Sequence, residues 1–239
     1  MTDKHQEQLQ LWRIWVQDRH KAVTAPQGNL ALIQTTWLNE GESFSAEDLL
    51  ATQPATVELT NLEKKNFKGE VEARGYRLWD AASPSIQYFS HIETYDYNPD
   101  FVFEGTYKSY EGNKPVAFEF IRDNGGTRDL AVPGVATVTI GGAEYNLHAF
   151  DDGGPLLLVF ADPTNGKETY ESGRFLFLQR IEGSDKVIID FNRAFVPPCG
   201  FSISYNCPLP PRENRIAIEI KAGERLPIFK NNHSIYTSL

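Results

Sequence analysis

The chain has 239 residues, 41% of them apolar and 23% charged, which is enough to bury a sizeable core in one ordinary domain with a short appendage. It has no run of about 18 apolar residues that could span a bilayer, and its opening, MTDKHQEQLQLW, lacks the basic-then-apolar order of a secretory signal, so the expected location is cytoplasmic and no membrane partner is expected. A formal charge of -9 repels a phosphate backbone, and no Lys/Arg stripe interleaved with aromatics offsets it, which argues against nucleic acid.

In TDKHQEQLQLWRIWVQDRHKA, Leu9, Trp12, Trp15, Val16 and Arg19 fall at helical spacing between polar residues, which predicts an amphipathic N-terminal helix. Thr2 is its candidate N-cap, and Pro26 with Gly28 ends it. A shorter helix is expected at Ser45–Ala51, where Ser45 and Asp48 have capping-box spacing. From Val57 the chain reads as short strands: VELT, VEARGYRLW, IQYFSHIETY, FVFEGTY, VAFEFI, VATVTI, EYNLHAF, LLLVF, RFLFLQRI, KVIIDF, FSISY and RIAIEI.

Gly141-Gly142 marks a two-residue hairpin turn between VATVTI and EYNLHAF, since both glycines accept positive φ. Asn124-Gly125-Gly126 and Asp151-Asp152-Gly153-Gly154 read as further turns. LLLVF, apolar without alternation, reads as a strand covered on both faces. The expected fold is mainly β: an antiparallel meander forming a barrel or two-sheet sandwich, with an N-terminal amphipathic helix. The expected division is a helical cap over 1–28, one β domain over 29–226 and a tail over 227–239.

VFADPTNGKETYESGRFLFL and DFNRAFVPPCGFSISYNCPLPPRENRIAIEIKAGE, together with WRIWVQDRHKAVTAPQGNLALIQTTWL near the start, closely resemble the signature of a mainly bacterial family, domain of unknown function 1684. Phe175 and Phe195 stand where the family pattern has Tyr. The resemblance implies a shared architecture and a shared site; it names no reaction and no catalytic residue.

Cys199 and Cys207 are too few for a disulfide scaffold, and 15 Phe, 10 Tyr and 4 Trp can fill a core without one. If FSISY is a strand, the two thiols lie roughly 26 Å apart at about 3.3 Å per residue, beyond the about 7 Å between Cα atoms that a disulfide tolerates. Both then read as buried core cysteines. His5, His20, His91, His148 and His233 show no ligand spacing, so no metal site is expected. Phosphate-cradling glycine loops are absent. No cofactor is demanded by any residue, although small barrels can hold flavin or haem.

The polar constellation is denser. Asp162, Thr164, Thr169, Tyr170 and Arg174 are followed by Asp190, Asn192 and Arg193, then by Glu213, Asn214 and Arg215. In a meander, successive strand ends lie side by side, so Arg174, Arg193 and Arg215 could converge at one rim. Three planar guanidinium forks there would suit the carboxylate or phosphate of an anionic small molecule, with Thr164, Thr169 and Tyr170 adding hydroxyl donors. The alternative is self-sufficiency: Asp162, Asp190 and Glu213 pair those arginines while Asn192 and Asn214 bond loop backbone, pinning the turns. Asp190 and Glu213 also admit an acid–base reading for hydrolysis. Pro208, Pro210 and Pro211 in CPLPPRENR hold the chain extended and forbid ladder donation, so this stretch is an edge or crossover segment.

Overall fold

The computed structural model describes residues 3–66, 69–121, 127–151 and 155–236. The expected cap Thr2, the Asn124–Gly126 turn and the Asp152–Gly154 part of the next turn lie outside the described residues. The chain divides into two compact units. One comprises 1–16, 92–197 and 207–226; the other comprises 17–91, 198–206 and 227–239.

Helix α1 runs over Asp3–Thr24. Its predicted face of Leu9, Trp12, Trp15, Val16 and Arg19 is half-buried, while Gln10, Arg13, Gln17 and Asp18 are exposed. Strand β1, Leu32–Trp37, was not among the expected strands, because LIQTTW alternates only weakly. Helix α2, Ala46–Ala51, starts where expected, with the Ser45 hydroxyl accepting the Asp48 N–H at 3.2 Å. Strands β2, Val57–Lys65, and β3, Val71–Asp80, join β1 in an antiparallel sheet of order β1-β3-β2. One face of that sheet buries Val57, Tyr76 and Leu78 against Phe44, Leu49 and Leu50.

The expected strand IQYFSHIETY breaks in two. Ser83 accepts the Ile86 N–H and Pro84 supplies a preset φ, so Pro84–Tyr88 forms a helical turn, α3, before β4 at Phe89–Thr94.

Six strands close a barrel: β5 Val102–Glu119, β6 Thr127–Ile140, β7 Ala143–Asp151, β8 Leu156–Phe160, β9 Arg174–Arg180 and β10 Lys186–Asp190, in the order β10-β5-β6-β7-β8-β9. Closure decides between the two expected architectures in favour of a barrel, which removes free sheet edges. FVFEGTY and VAFEFI are one strand with a register shift between Ser109 and Lys114. Ile140 faces Ala143 across the Gly141-Gly142 turn, whose φ values of 58° and 82° are those the hairpin requires. All five residues of β8 are buried, as its unbroken apolar run predicts. Ala136, Val138, Ile140, Leu147, Leu158, Phe160 and Ile189 fill the barrel core.

Strand β11, Glu224–Phe229, pairs with β4 and begins inside the region read as domain end. FSISY and RIAIEI are not strands. Ser202 and Ser204 donate to the carbonyls of Leu32 and Ile33 at 2.6 and 2.9 Å, so the 198–206 turn is held along β1 by its hydroxyls instead of by a ladder. Ser202 is buried, so the alternation that put the two cysteines on one face does not operate; both cysteines are nonetheless buried, and they form no disulfide with each other.

In RIAIEI, Ile216 and Ile220 enter the barrel core while Ile218 is 37% exposed. The proline segment behaves as a crossover edge: Ile121 donates to the Cys207 carbonyl and Leu209 to the Glu119 carbonyl, so Pro208 sits where no N–H is needed.

Candidate functional site

Arg174 opens β9 and is 0% exposed. Its guanidinium donates to the carbonyls of Ala222 at 2.5 Å, Ile220 at 2.8 Å and Glu224 at 3.3 Å, and to Asp162 Oδ1 at 3.1 Å. Phe160 lies under it, 5.2 Å from ring centroid to guanidinium carbon. Burial lowers the Arg174 pKa and the Asp162 carboxylate opposes that, so the side chain stays a cation.

Asp162 is equally committed: its oxygens accept from the Thr164 hydroxyl at 2.9 Å and from the Ile220 N–H at 2.7 Å. Thr164 and Thr169 share a hydroxyl contact of 2.9 Å. Asn165 accepts the Asp162 N–H at 2.7 Å and donates to Thr169 and the Tyr170 carbonyl, closing the 162–170 loop on itself. The result ties the 220–224 segment across the end of the barrel.

Asn214 does related work with an amide. β7 and β8 pair as far as Ala149 opposite Leu158. At the next rung the Asn214 side chain accepts the His148 N–H at 2.8 Å and donates to the His148 and Val159 carbonyls at 2.8 and 2.7 Å. A side-chain amide thus stands in for a peptide group between two diverging strands. This explains why RIAIEI forms no ladder of its own: Ala161 donates to the Asn214 carbonyl and Ile216 to the Ala161 carbonyl, a single parallel bridge. Asn192 reads both backbone groups of Asn98 in the same way, at 2.8 and 2.9 Å, and its carbonyl takes the Trp12 indole N–H at 3.2 Å.

The expected three-arginine rim is therefore divided among separate arrangements. Arg174 is enclosed by its own chain. Arg193, in the turn after β10, lies 3.5 Å from Asp190, which also accepts from Asn192. Arg215 and Glu213 are exposed beside the 212–214 turn. Asp162, Thr164, Thr169 and Arg174 are brought together, Tyr170 joins them through its backbone, and Asn192 and Asn214 each hold a different loop.

Sequence reading missed a second, half-exposed layer. The Tyr95 hydroxyl donates to Glu168 at 2.9 Å, Lys221 pairs with Glu168 and Glu219 at 3.1 Å each, and Arg225 lies 3.5 Å from Glu93 with its guanidinium 5.2 Å from the Tyr95 ring centroid. Burial, then the bond to Glu168 and that carboxylate's charge, push the Tyr95 phenol up to about 12. The bonds from Lys221 and Tyr95 hold Glu168 below the usual carboxylate range. Tyr95 and Arg225 lie far apart in sequence and in no motif; only the pairing of β4 with β11 gives a signal.

A closed antiparallel barrel with its end tied off by a buried Asp–Arg pair defines the class of protein. Residues 87–225, more than half of the chain, match the family described as protein of unknown function (DUF1684), and the chain belongs to it. The solution NMR structure of an uncharacterized protein of Haloarcula marismortui is similar at 30% identity, over 57% of this chain and 77% of that one, with a TM-score of 0.47. No curated protein matches the chain. Among the described residues no helix is long and apolar enough to cross a membrane.

Proposed function

We propose that the matched domain is a binding module in which the Asp162–Arg174 network and the two buried asparagines lock the loops, while recognition falls to the half-exposed Tyr95, Glu168, Lys221 and Arg225. The observation that carries this reading is the enclosure of Arg174: its two terminal amino groups make four bonds to its own chain, only Nε lacks a partner, and with no exposed surface the side chain is out of a ligand's reach. Neither Tyr95 nor Glu168 titrates near neutrality, and a general acid or base works best with a pKa close to the working pH. The outer array instead presents acceptors: the Tyr95 oxygen, whose one O–H is spent on Glu168, and the carboxylates of Glu93, Glu168 and Glu219.

Lys221 and Arg225 face three acids, Glu93, Glu168 and Glu219, so a neutral or cationic polar molecule fits it better than an anion. A thermal-shift panel of small amines and polyols tests this, with stabilisation expected in the native chain and lost in a folded Glu168→Gln variant. An anion that stabilises the native chain but not folded Arg193→Ala or Arg215→Ala variants would overturn it and restore the three-arginine reading.

A further inference from the structure

We propose that the β1-β3-β2 sheet carries a second recognition site, centred on Arg77, for a small organic anion that joins a carboxylate or phosphate to a flat apolar ring. This sheet lies outside residues 87–225, so the inference goes beyond the reading of the barrel and stands or falls separately. Arg77 occupies the central strand, with Thr35 of β1 and Thr60 of β2 directly opposite it in one rung. Its guanidinium carbon lies 5.8 Å from the Trp79 ring centroid and 5.3 Å from that of Tyr205, so aromatic rings fix its position. Tyr205 itself is set by the Ser202 and Ser204 bonds to β1.

What distinguishes this arginine is the lack of an acceptor. Among the described residues Arg77 makes no ion pair and no hydrogen bond: its buried Nε lacks a partner, as that of Arg174 does, but its terminal amino groups lack one too. The hydroxyl opposite, Thr35 Oγ1, is also buried without a partner. Exposed arginines such as Arg212 and Arg215 have water for company. Arg74, three residues away, has Glu63 at 3.3 Å. The acid nearest Arg77 on this face by register, Glu58 opposite Trp79, accepts instead from the Gln27 amide at 2.9 Å.

Two orphaned polar groups side by side carry a desolvation penalty that an oxyanion can relieve. The remaining guanidinium N–H groups form the planar fork that carboxylate and phosphate match, and stacking between rings leaves that fork weakly hydrated. Trp37, 42% exposed and two rungs away opposite Gly75, on the same face by register, offers a flat apolar surface for the rest of the ligand. A bare inorganic anion would use the fork alone.

The probes are phenyl phosphate, benzoate and inorganic phosphate, titrated into the full chain by calorimetry and by tryptophan fluorescence, since Trp37 and Trp79 are two of the four tryptophans. The expected result is binding of at least one aromatic probe with quenching, and weaker binding of inorganic phosphate. Arg77→Gln abolishes it, Arg77→Lys weakens it roughly tenfold by losing the fork, and Thr35→Val weakens it while leaving the fold intact. Thr35→Val keeps the test valid should Arg77→Gln fail to fold. No binding of either aromatic probe at millimolar concentration, or binding unchanged in folded Arg77 and Thr35 variants, overturns the proposal. A rise in melting temperature of Thr35→Val without any effect on probe binding would mean that the two orphaned groups reflect only local strain or a bridging water, and overturns it equally.

Discussion

Arg174 and Arg77 both stand on strands beside aromatic rings, yet their surroundings are opposite. Arg174 is sealed, with a carboxylate and three carbonyls around its fork. Arg77 is half-buried between Trp79 and Tyr205 with none. A cation of the first kind holds a structure together and is unavailable to anything else; a cation of the second kind is fixed by its surroundings and still has hydrogen bonds to give. Proximity of arginines to strand ends says nothing about which kind each will be.

The sharpest way to break the comparison is to remove each cation in turn. Arg174→Met leaves Asp162 buried without its counter-charge and frees three carbonyls, so a loss of about 3–5 kcal/mol is expected, on the order of 10 °C in melting temperature. Arg77→Met removes two cation–π contacts but also an unpaired buried N–H, and the balance is expected within about 1 kcal/mol of the native chain. Urea denaturation of the two variants decides the matter. Equal losses would erase the distinction between a locking and a recognising arginine.

A smaller effect sharpens the same contrast on the neutral side. Asn214→Ala removes a surrogate peptide group and strands the His148 N–H with the His148 and Val159 carbonyls. About 2–3 kcal/mol should be lost, less than for the buried charge because only neutral groups go unpaired. Amide exchange should rise at His148, the one freed donor, while the Gly134–Ile140 pairing with β7 stays protected. Unchanged exchange would mean that the two strands close the rung without help.

Much of the fold was legible because it rests on periodicity. The Gly141-Gly142 turn, the apolar β8 and the alternating β6 and β7 are local signals, and the barrel assembles from them. FSISY and RIAIEI carry the same alternation, but FSISY is held by its serine hydroxyls donating to the Leu32 and Ile33 carbonyls, and the RIAIEI backbone donates to the Tyr145 hydroxyl and the Asp162 carboxylate and accepts from Arg174. Side-chain pattern does not reveal which backbone a strand will meet.

The fate of Arg174 was illegible for a related reason. Three of its four acceptors are main-chain carbonyls at positions 220, 222 and 224, which any residue possesses and no motif encodes. The count of acids and bases could pair Asp162 with Arg174 on paper, but only the path of the 220–224 segment encloses the pair.

The smallest expected effect concerns the layer outside that enclosure. Tyr95, half-exposed, has its phenol pushed up to about 12 by burial and by Glu168. The folded state therefore holds the proton that an unfolded tyrosine releases near its ordinary value of about 10. Stability from this group is complete below that value and drains away as pH climbs toward the folded pKa, because in that window the unfolded chain binds fewer protons than the native one. Solvent screening of a half-exposed group limits the effect to about 1 kcal/mol or less. Tyr95→Phe should thus show a flatter urea-midpoint profile between about pH 10 and pH 12 than the native chain, the other tyrosines contributing equally to both. Glu168 acts at the other end of the scale: its lowered pKa stabilises above the ordinary carboxylate range and is lost as acid protonates it. Parallel alkaline profiles for the two proteins would place the Tyr95 hydroxyl in solvent and dissolve the outer array, while leaving the sealed Arg174 beneath it untouched.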